Sequence, residues 1–211
     1  MIDYYQELFT TANLQQHEVA TNSINSIISE DMNAQLTSDF KVWEIQQAIK
    51  QMAPLKAPRP DDMPHLFYQH YWNLVGDDVC QSILKFLNIA SLPKHLNHTF
   101  ITVIPKKKNP EFGSEFRPIN LCTVLYKILS KVLANRLKRI LPKIITENQS
   151  AFTKSRLISD NILVAFESFH CTQKHTRKND FMAIKLDMCK AYNRVEWPYL
   201  EAITRKMGFA D

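Results

Sequence analysis

The chain has 211 residues, of which 45% are hydrophobic and 22% charged, a composition typical of a globular protein rather than a disordered one. No apolar run approaches the roughly 18 residues that cross a membrane, and the N-terminal segment M-I-D-Y-Y-Q-E-L-F is too acidic for a signal or transit peptide. Residues 1–100 carry 6 Lys and Arg against 11 Asp and Glu, a net charge of −5, whereas residues 101–211 carry 20 against 10, a net charge of +10. This asymmetry fits a C-terminal half that meets a polyanion, although a solvated basic surface fits it equally well.

The four cysteines are scattered and form no C-x-x-C pair. A disulfide-linked partner and a zinc site are therefore not expected, and a reducing compartment fits best. No signal peptide, transmembrane segment or membrane partner is expected, and the sequence leaves the location unknown between the nucleus and the cytoplasm.

The first hundred residues are expected to be mostly helical. Ser38 is placed to cap a helix that runs through Met52, and two further helices are expected over residues 65–74 and 77–90. Between them, residues 54–64 contain too many prolines for a helix and are expected to form a stiff loop.

The pattern changes to β structure near residue 98. The segment His98 to Ile104 alternates and is rich in β-branched residues, which predicts a strand that ends at Pro105. Lys106 then begins a three-lysine run, and the segment E-F-R-P-I-N, which contains Arg117, is expected to be extended because the residue before a proline avoids helical geometry. These cations could grip a triphosphate, but a solvated turn or a nuclear import patch would have the same composition.

Two more helices and a strand complete the expected elements. A long helix from about Cys122 to Leu141 has an apolar stripe, and Lys127, Lys131 and Lys138 share its polar face. Together with Arg136, Arg139 and Lys143, these lysines could follow a nucleic-acid backbone. The helix expected over residues 159–171 is predicted to bury its apolar residues, namely Ile162, Leu163, Ala165, Phe166 and Phe169.

The segment F-M-A-I-K-L-D, residues 181–187, is expected to be a buried strand that ends at Asp187. A carboxylate at the end of a buried strand needs a partner, and a divalent metal ion is one candidate. The alternative is that Asp187 caps the following helix, and spacing alone favours the cap. A helix is expected over residues 196–207.

Five stretches of the chain carry a resemblance: K-A-P-R-P-D-D-M-P, T-V-I-P-K-K-K-N-P, F-R-P-I-N-L-C-T-V-L-Y-K-I-L-S-K-V-L-A-N-R-L-K, E-N-Q-S-A-F-T-K-S-R-L-I-S-D-N and K-L-D-M-C-K-A-Y-N-R-V-E-W. Together they resemble the reverse transcriptase of plant-type non-LTR (LINE-type) retrotransposons. They occur in the family's order, and the resemblance covers nearly the whole chain. The resemblance implies RNA-templated DNA synthesis by two-metal nucleotidyl transfer, with Mg²⁺ as cofactor and an RNA template and DNA primer as partners.

The resemblance also implies roles for individual residues. Asp187 matches the first metal-binding aspartate of the polymerase palm, and Tyr192 matches the aromatic residue under the sugar of the incoming nucleotide. Lys106 and Arg117 match the fingers residues that hold the triphosphate. The basic helix with Lys127, Lys131 and Lys138, and the segment that contains Arg156, are similar to the region that contacts template and primer.

The chain departs from the family at several positions. The family usually has glycine where this chain has Arg59, Asp62 and Ser155, which marks places where the backbone needs positive φ or a close approach, and it usually has aspartate at the position of Asn193. The glycine-rich second palm motif and the F-A-D-D hairpin are not found in the 211 residues. The final M-G-F-A-D is read as the ordinary end of a helix rather than as the start of F-A-D-D.

The sequence therefore predicts an α+β fold, a partial right-hand polymerase with fingers and an incomplete palm, predominantly helical with few strands. Residues 1–97 would form a helical N-terminal extension, and residues 98–211 the fingers and partial palm. The expected metal site is incomplete, so the chain is expected to be inactive alone. The alternatives are a non-catalytic remnant that binds nucleic acid and a chain that does not fold stably.

Overall fold

The computed structural model describes residues 1–11, 21–54, 63–151, 153, 155–174, 182–188 and 191–210. Within these residues, the chain divides into two compact units, which are described separately. The first contains residues 1–7 and 34–137, and the second contains residues 8–33 and 138–211.

Helices dominate the N-terminal part of the chain. In order, they are α1 (Ile2–Phe9), α2 (Glu30–Thr37), α3 (Val42–Lys50), α4 (His65–His70), α5 (Trp72–Ile89) and α6 (Lys94–Asn97). The helix expected to start at Ser38 instead begins four residues later, and the Ser38 hydroxyl donates to the carbonyl oxygen of Gln35, 3.1 Å away. Of the expected proline-rich loop, residues 55–62 lie outside the described residues.

A two-stranded antiparallel sheet follows these helices. Strand β1 (Thr99–Pro105) pairs with β2 (Phe116–Cys122), and a single 3₁₀ turn, Gly113–Glu115, leads into β2. The register pairs Thr99 with Cys122 and Pro105 with Phe116. Both extended segments expected from the sequence are thus confirmed, and they form one hairpin.

The long helix α7 (Val124–Ile144) comes directly after β2. Its N-terminal half supplies Val124, Ile128 and Val132 to the core of the first unit. Side chains from α3 and α5 complete that core: Ile45, Ala48, Ile49, Val79, Cys80 and Ile83. Burial of this apolar surface is the main force that holds the helices of the first unit around α7.

The second unit contains α8 (Ile158–Lys174), the short helix α9 (Ala191–Arg194) and α10 (Trp197–Met207). Helix α10 ends at Gly208, whose φ of +91° is the left-handed conformation that glycine adopts easily. The backbone N–H groups of Gly208 and Phe209 donate to the carbonyl oxygens of Arg205 and Thr204, at 3.0 and 3.1 Å. Residues 207–210 are therefore an ordinary helix end, as expected, while Asp211 lies outside the described residues.

Two predictions for the second unit were wrong. Residues 182–188 adopt no regular secondary structure, and their side chains are exposed, Leu186 to 90%. A strand is stable only when a neighbouring strand accepts its backbone hydrogen bonds, and no described residue pairs with this segment. Helix α8 forms as expected, but its apolar residues are exposed instead of buried: Ile162, Leu163, Ala165, Phe166 and Phe169.

The expected fold class is confirmed, since the described residues form many helices and one small sheet. None of the described helices is both long and apolar enough to cross a membrane. The division into domains at residues 97 and 98 stays a prediction.

Candidate functional site

The β1–β2 hairpin places Lys106 and Arg117 close to each other. Ile104 lies opposite Arg117 in the register, and the backbone N–H of Lys106 donates to the carbonyl oxygen of Glu115 at 2.8 Å, so the pairing continues one step past the sheet. Lys106 and Arg117 are thus diagonal cross-strand neighbours, a relationship that typically brings Cα atoms within roughly 7–8 Å. Two cations that are eleven residues apart in the sequence therefore lie near each other at the loop end of the hairpin.

The strand face next to these cations is apolar and open to solvent. Because directly paired residues share a face of the sheet, Arg117 and Ile104 lie on the same side as Ile119 and Phe100. Phe100 is 53% exposed, Ile104 46% and Ile119 40%. The hairpin therefore combines a charged end with an apolar surface, a combination that suits a ligand with both a phosphate group and a planar base.

Glu115 organises the loop that carries the lysine run. Its carboxylate accepts hydrogen bonds from the backbone N–H groups of Glu111 and Phe112, at 2.7 and 3.1 Å, and forms an ion pair of 2.5 Å with Lys107. The Lys107 ammonium and these two N–H donors lower the pKa of Glu115 from 4.5 to about 2. This role was not predicted from the sequence, where Glu115 is one acidic residue of the segment E-F-G-S-E-F.

The three lysines of the run are used differently. Lys107 is neutralised by Glu115, and the ammonium of Lys106 donates to the carbonyl oxygen of Ser114 at 2.8 Å, a contact that leaves its charge uncompensated. Lys108 and Arg117 are exposed, and the side chain of neither forms a hydrogen bond or an ion pair with a described residue. Lys106 and Arg117 thus provide cationic groups on this face, and their role in triphosphate binding stays a prediction.

Helix α7 presents some of its basic residues to solvent and buries another. Lys138 is exposed, whereas Lys127 and Lys131 are half-buried. Arg136 had been grouped with residues that could follow a nucleic-acid backbone, and this was wrong, because it is 5% exposed and pairs with the carboxylate of Glu44. The sequence carried a signal for this, since Arg136 stands four residues from both Val132 and Ile140 and so on the apolar side of the helix.

Arg156 is engaged with the backbone of the loop that precedes it. Its guanidinium donates to the carbonyl oxygens of Ile145, Thr146 and Gln149, so it satisfies backbone acceptors of the loop that follows α7. The adjacent Ser155 has φ +64°, which is the geometry expected from the glycine that the family usually has there. Nucleic-acid contacts by Arg156, Lys127, Lys131 and Lys138 stay predictions.

Asp187 and Tyr192 are both exposed. Asp187 lies in the unstructured segment 182–188, and Tyr192 is 78% exposed on α9. Among the described residues, no three His, Cys, Asp or Glu side chains lie close enough together to hold a metal ion. Mg²⁺ is usually held by one or two carboxylates together with water and substrate phosphates, so Asp187 is a residue that could supply one ligand to the metal that the family implies.

The resemblance seen in the sequence is confirmed by comparison with known proteins. The model of the family described as reverse transcriptase (RNA-dependent DNA polymerase) matches residues 104–210. The "uncharacterized 149 kDa protein" of transposon TX1 from Xenopus laevis is 28% identical over 183 residues, which cover 87% of this chain and 14% of that protein. The "probable RNA-directed DNA polymerase" from transposon BS of Drosophila melanogaster is 24% identical over 206 residues, which cover 89% of this chain and 20% of that protein. The chain therefore spans about one seventh to one fifth of the length of these relatives.

Proposed function

The chain belongs to the reverse transcriptase family, and on that premise we propose that it supplies the nucleotide-facing fingers hairpin and the first palm segment of an RNA-directed DNA polymerase. The hairpin holds the triphosphate of the incoming nucleotide with Lys106 and Arg117. Asp187 and Tyr192 belong to the same reaction, as metal ligand and as the floor under the sugar, and the nucleic-acid partners are an RNA template and a DNA primer.

The observation that carries this proposal is the register of the β1–β2 hairpin. It places Lys106 and Arg117 as diagonal neighbours beside the exposed apolar face with Phe100, Ile104 and Ile119. Arginine binds phosphate through a planar fork of N–H donors, and lysine does so as a point charge. Because neither cation forms an ion pair with a carboxylate of the described residues, both can neutralise a triphosphate without first breaking such a pair.

We further propose that these 211 residues do not polymerise by themselves. Phosphoryl transfer by two metals needs ligands on rigid elements, and Asp187 lies on an exposed segment without secondary structure. When bound, the metal ions would supply the electrostatic stabilisation of the attacking and leaving oxygens. The contribution of the described residues is to bind and orient the triphosphate.

Primer extension tests this part of the proposal. The purified chain is incubated with Mg²⁺, the four deoxynucleoside triphosphates and a DNA primer annealed to an RNA template, with the Asp187→Ala variant as the matched control. We expect no extension above the level of the variant. Extension by the chain that the variant lacks would show that the site is complete and would overturn the claim of inactivity.

A second candidate function is non-catalytic binding of nucleic acid, which the +10 charge of residues 101–211 and the exposed Lys138 favour. Binding of this kind weakens with salt, with a logarithmic slope of roughly 0.7 per neutralised phosphate for single strands. A slope of several units for the logarithm of the affinity against the logarithm of the salt concentration would support this function, provided that Lys138→Gln reduces the slope. Binding that does not respond to salt would exclude it.

A further inference from the structure

A cavity lies in the first unit, and none of its lining residues belongs to the hairpin. It has a volume of about 280 Å³ and is lined by Gln46, Ile49, Lys50, Gln69 and Trp72, which come from α3, α4 and α5. Ligand pockets for drug-sized molecules typically measure roughly 300–1,000 Å³. The size therefore suits a ligand no larger than a single nucleotide unit.

One wall of the cavity is the indole of Trp72. A Cβ atom added to Gly76 would lie 2.8 Å from Cε2 and 3.0 Å from Cδ2 of Trp72, the two atoms at the fusion of the indole rings. Because the nearest atoms are at the centre of the ring system, the indole rests face-on against Gly76. The indole lines the cavity beside Ile49 and also packs against the core of the first unit, so it is the aromatic surface that the cavity offers to a ligand.

The polar groups around this surface retain hydrogen-bonding capacity. The Gln69 amide nitrogen donates to the carbonyl oxygens of Ile49 and Met52, both at 2.9 Å, which uses its donors and leaves its carbonyl oxygen as an acceptor. The side chains of Gln46 and Lys50 form no hydrogen bond or ion pair with another described residue. The cavity thus offers an amide that can both donate and accept, a fixed acceptor and one exposed cation.

We propose that this cavity binds one adenine nucleotide unit of a single-stranded nucleic acid. Aromatic side chains stack on unpaired bases, which typically contributes about 1–3 kcal/mol per base. A glutamine amide pairs with the N6 and N7 edge of adenine through two hydrogen bonds, and Lys50 at the rim is placed for the phosphate. The site is independent of the hairpin, and it would operate even if the hairpin bound no triphosphate.

The electrostatics favour binding by stacking rather than by charge. Residues 1–100 have a net charge of −5, so this part of the chain does not attract a polyanion over a distance, and Lys50 is the single cation among the described residues that line the cavity. The affinity should therefore fall with salt with a slope of about one phosphate contact, roughly 0.7 on logarithmic axes. Such a shallow slope separates this site from a multi-lysine surface.

The emission of Trp72 gives a direct readout. The three tryptophans are Trp43, Trp72 and Trp197, and the full chain with Trp43→Phe and Trp197→Phe keeps Trp72 alone. Titration with AMP, adenosine, UMP and an eight-residue oligoadenylate should give saturable quenching, and AMP should bind more tightly than either UMP or adenosine.

Substitutions of the polar lining residues test the assigned contacts. Lys50→Gln should remove the advantage of AMP over adenosine, about threefold to tenfold, and Gln46→Ala should remove the preference for adenine. Lys85→Gln, an exposed lysine elsewhere on α5, is the matched control and should change nothing.

Further outcomes decide the proposal. Gly76→Ala pushes the indole into the cavity and should weaken AMP binding while the helix content stays the same by circular dichroism. Lys106→Ala with Arg117→Ala should leave AMP binding unchanged, which separates this site from the proposed function. The proposal is wrong if millimolar AMP and oligoadenylate give no saturable quenching, or if Lys50→Gln and Gln46→Ala bind AMP like the parent chain. Quenching by an aromatic peptide but not by nucleotides would assign the cavity to a protein side chain and would also contradict it.

Discussion

The guanidinium of Arg136 on α7 and the carboxylate of Glu44 on α3 form a buried two-point ion pair. Nε and Nη2 of Arg136 each lie 2.8 Å from an oxygen of Glu44. The remaining N–H groups donate to the carbonyl oxygens of Leu36, Ser38 and Asp39, and the guanidinium lies over the ring of Phe40, 3.6 Å from its centroid. One side chain therefore ties α7 to the segment between α2 and α3.

We expect Arg136→Ala to destabilise the chain strongly. Removal of one partner from a buried ion pair leaves the other charge buried and unpaired, which typically costs about 3–5 kcal/mol. The measurement is the free energy of unfolding in urea, with Arg205→Ala as control, because Arg205 pairs with Glu201 at the surface and such pairs contribute at most about 1 kcal/mol. Equal losses in the two variants would contradict the structural role of Arg136.

Ser155→Gly should stabilise the chain. The left-handed φ of +64° at Ser155 typically costs a residue with a Cβ about 1–2 kcal/mol, a cost that glycine does not have. Glycine loses more backbone entropy on folding, which offsets about 0.5–1 kcal/mol of the gain in stability. A net gain of about 0.5–1 kcal/mol is expected in the same urea experiment. Ser159→Gly, inside α8, is the control and should lose a similar amount; a loss at both positions would show that Ser155 is not strained.

The lysine loop should loosen at acidic pH. The pKa of Glu115 is about 2 in the folded chain against 4.5 without its partners, so the contribution of its carboxylate is complete above pH 4.5 and is lost as the pH falls towards 2. In NMR titrations, the amide signals of Glu111 and Phe112 should move with a midpoint near 2. Glu115→Gln should abolish that transition, whereas Glu111→Gln, which leaves the carboxylate of Glu115 in place, should retain it. A midpoint near 4.5 would mean that the contacts of Glu115 do not hold in solution.

The segment 182–188 should exchange its amide hydrogens quickly. It forms no regular secondary structure, and its side chains are exposed, so its backbone lacks the protection that a sheet provides. Hydrogen exchange followed by mass spectrometry should show full exchange within seconds, while residues 124–137 of α7 stay protected. Slow exchange over 182–188 would indicate that the strand expected from the sequence forms after all.

The sequence predicted those helices and strands whose formation depends mainly on nearby residues. The hairpin was visible because residues 98–104 alternate and Pro105 ends them, and α7 was visible from its apolar period. The strand at residues 181–187 could not be judged in this way, because a strand depends on a neighbour that its own residues do not specify. Residue type alone gave a wrong prediction at Arg136, because a basic residue on the apolar side of α7 was grouped with the lysines on the polar side.

The site was predictable to a similar extent. Lys106 and Arg117 were singled out by residue type and by resemblance, but their adjacency follows from the register, which a sequence does not state directly. Glu115 was missed because its importance lies in two backbone N–H groups, which leave no trace in the sequence. The family usually has glycine at the position of Ser155, and the positive φ of this residue explains why glycine suits the position.

The most direct test of the account is triphosphate binding by the hairpin. Binding of a fluorescent deoxynucleoside triphosphate to the full chain is measured by anisotropy, and Lys106→Ala and Arg117→Ala are compared with Lys108→Ala, whose side chain forms no hydrogen bond or ion pair with a described residue. Because a hydrogen bond to a charged group typically contributes about 1.5–3 kcal/mol, each of the first two variants should weaken binding at least about tenfold, and Lys108→Ala should weaken it by less than about threefold. Equal affinities for the parent chain, Lys106→Ala and Arg117→Ala would contradict the proposal that this hairpin holds the incoming nucleotide.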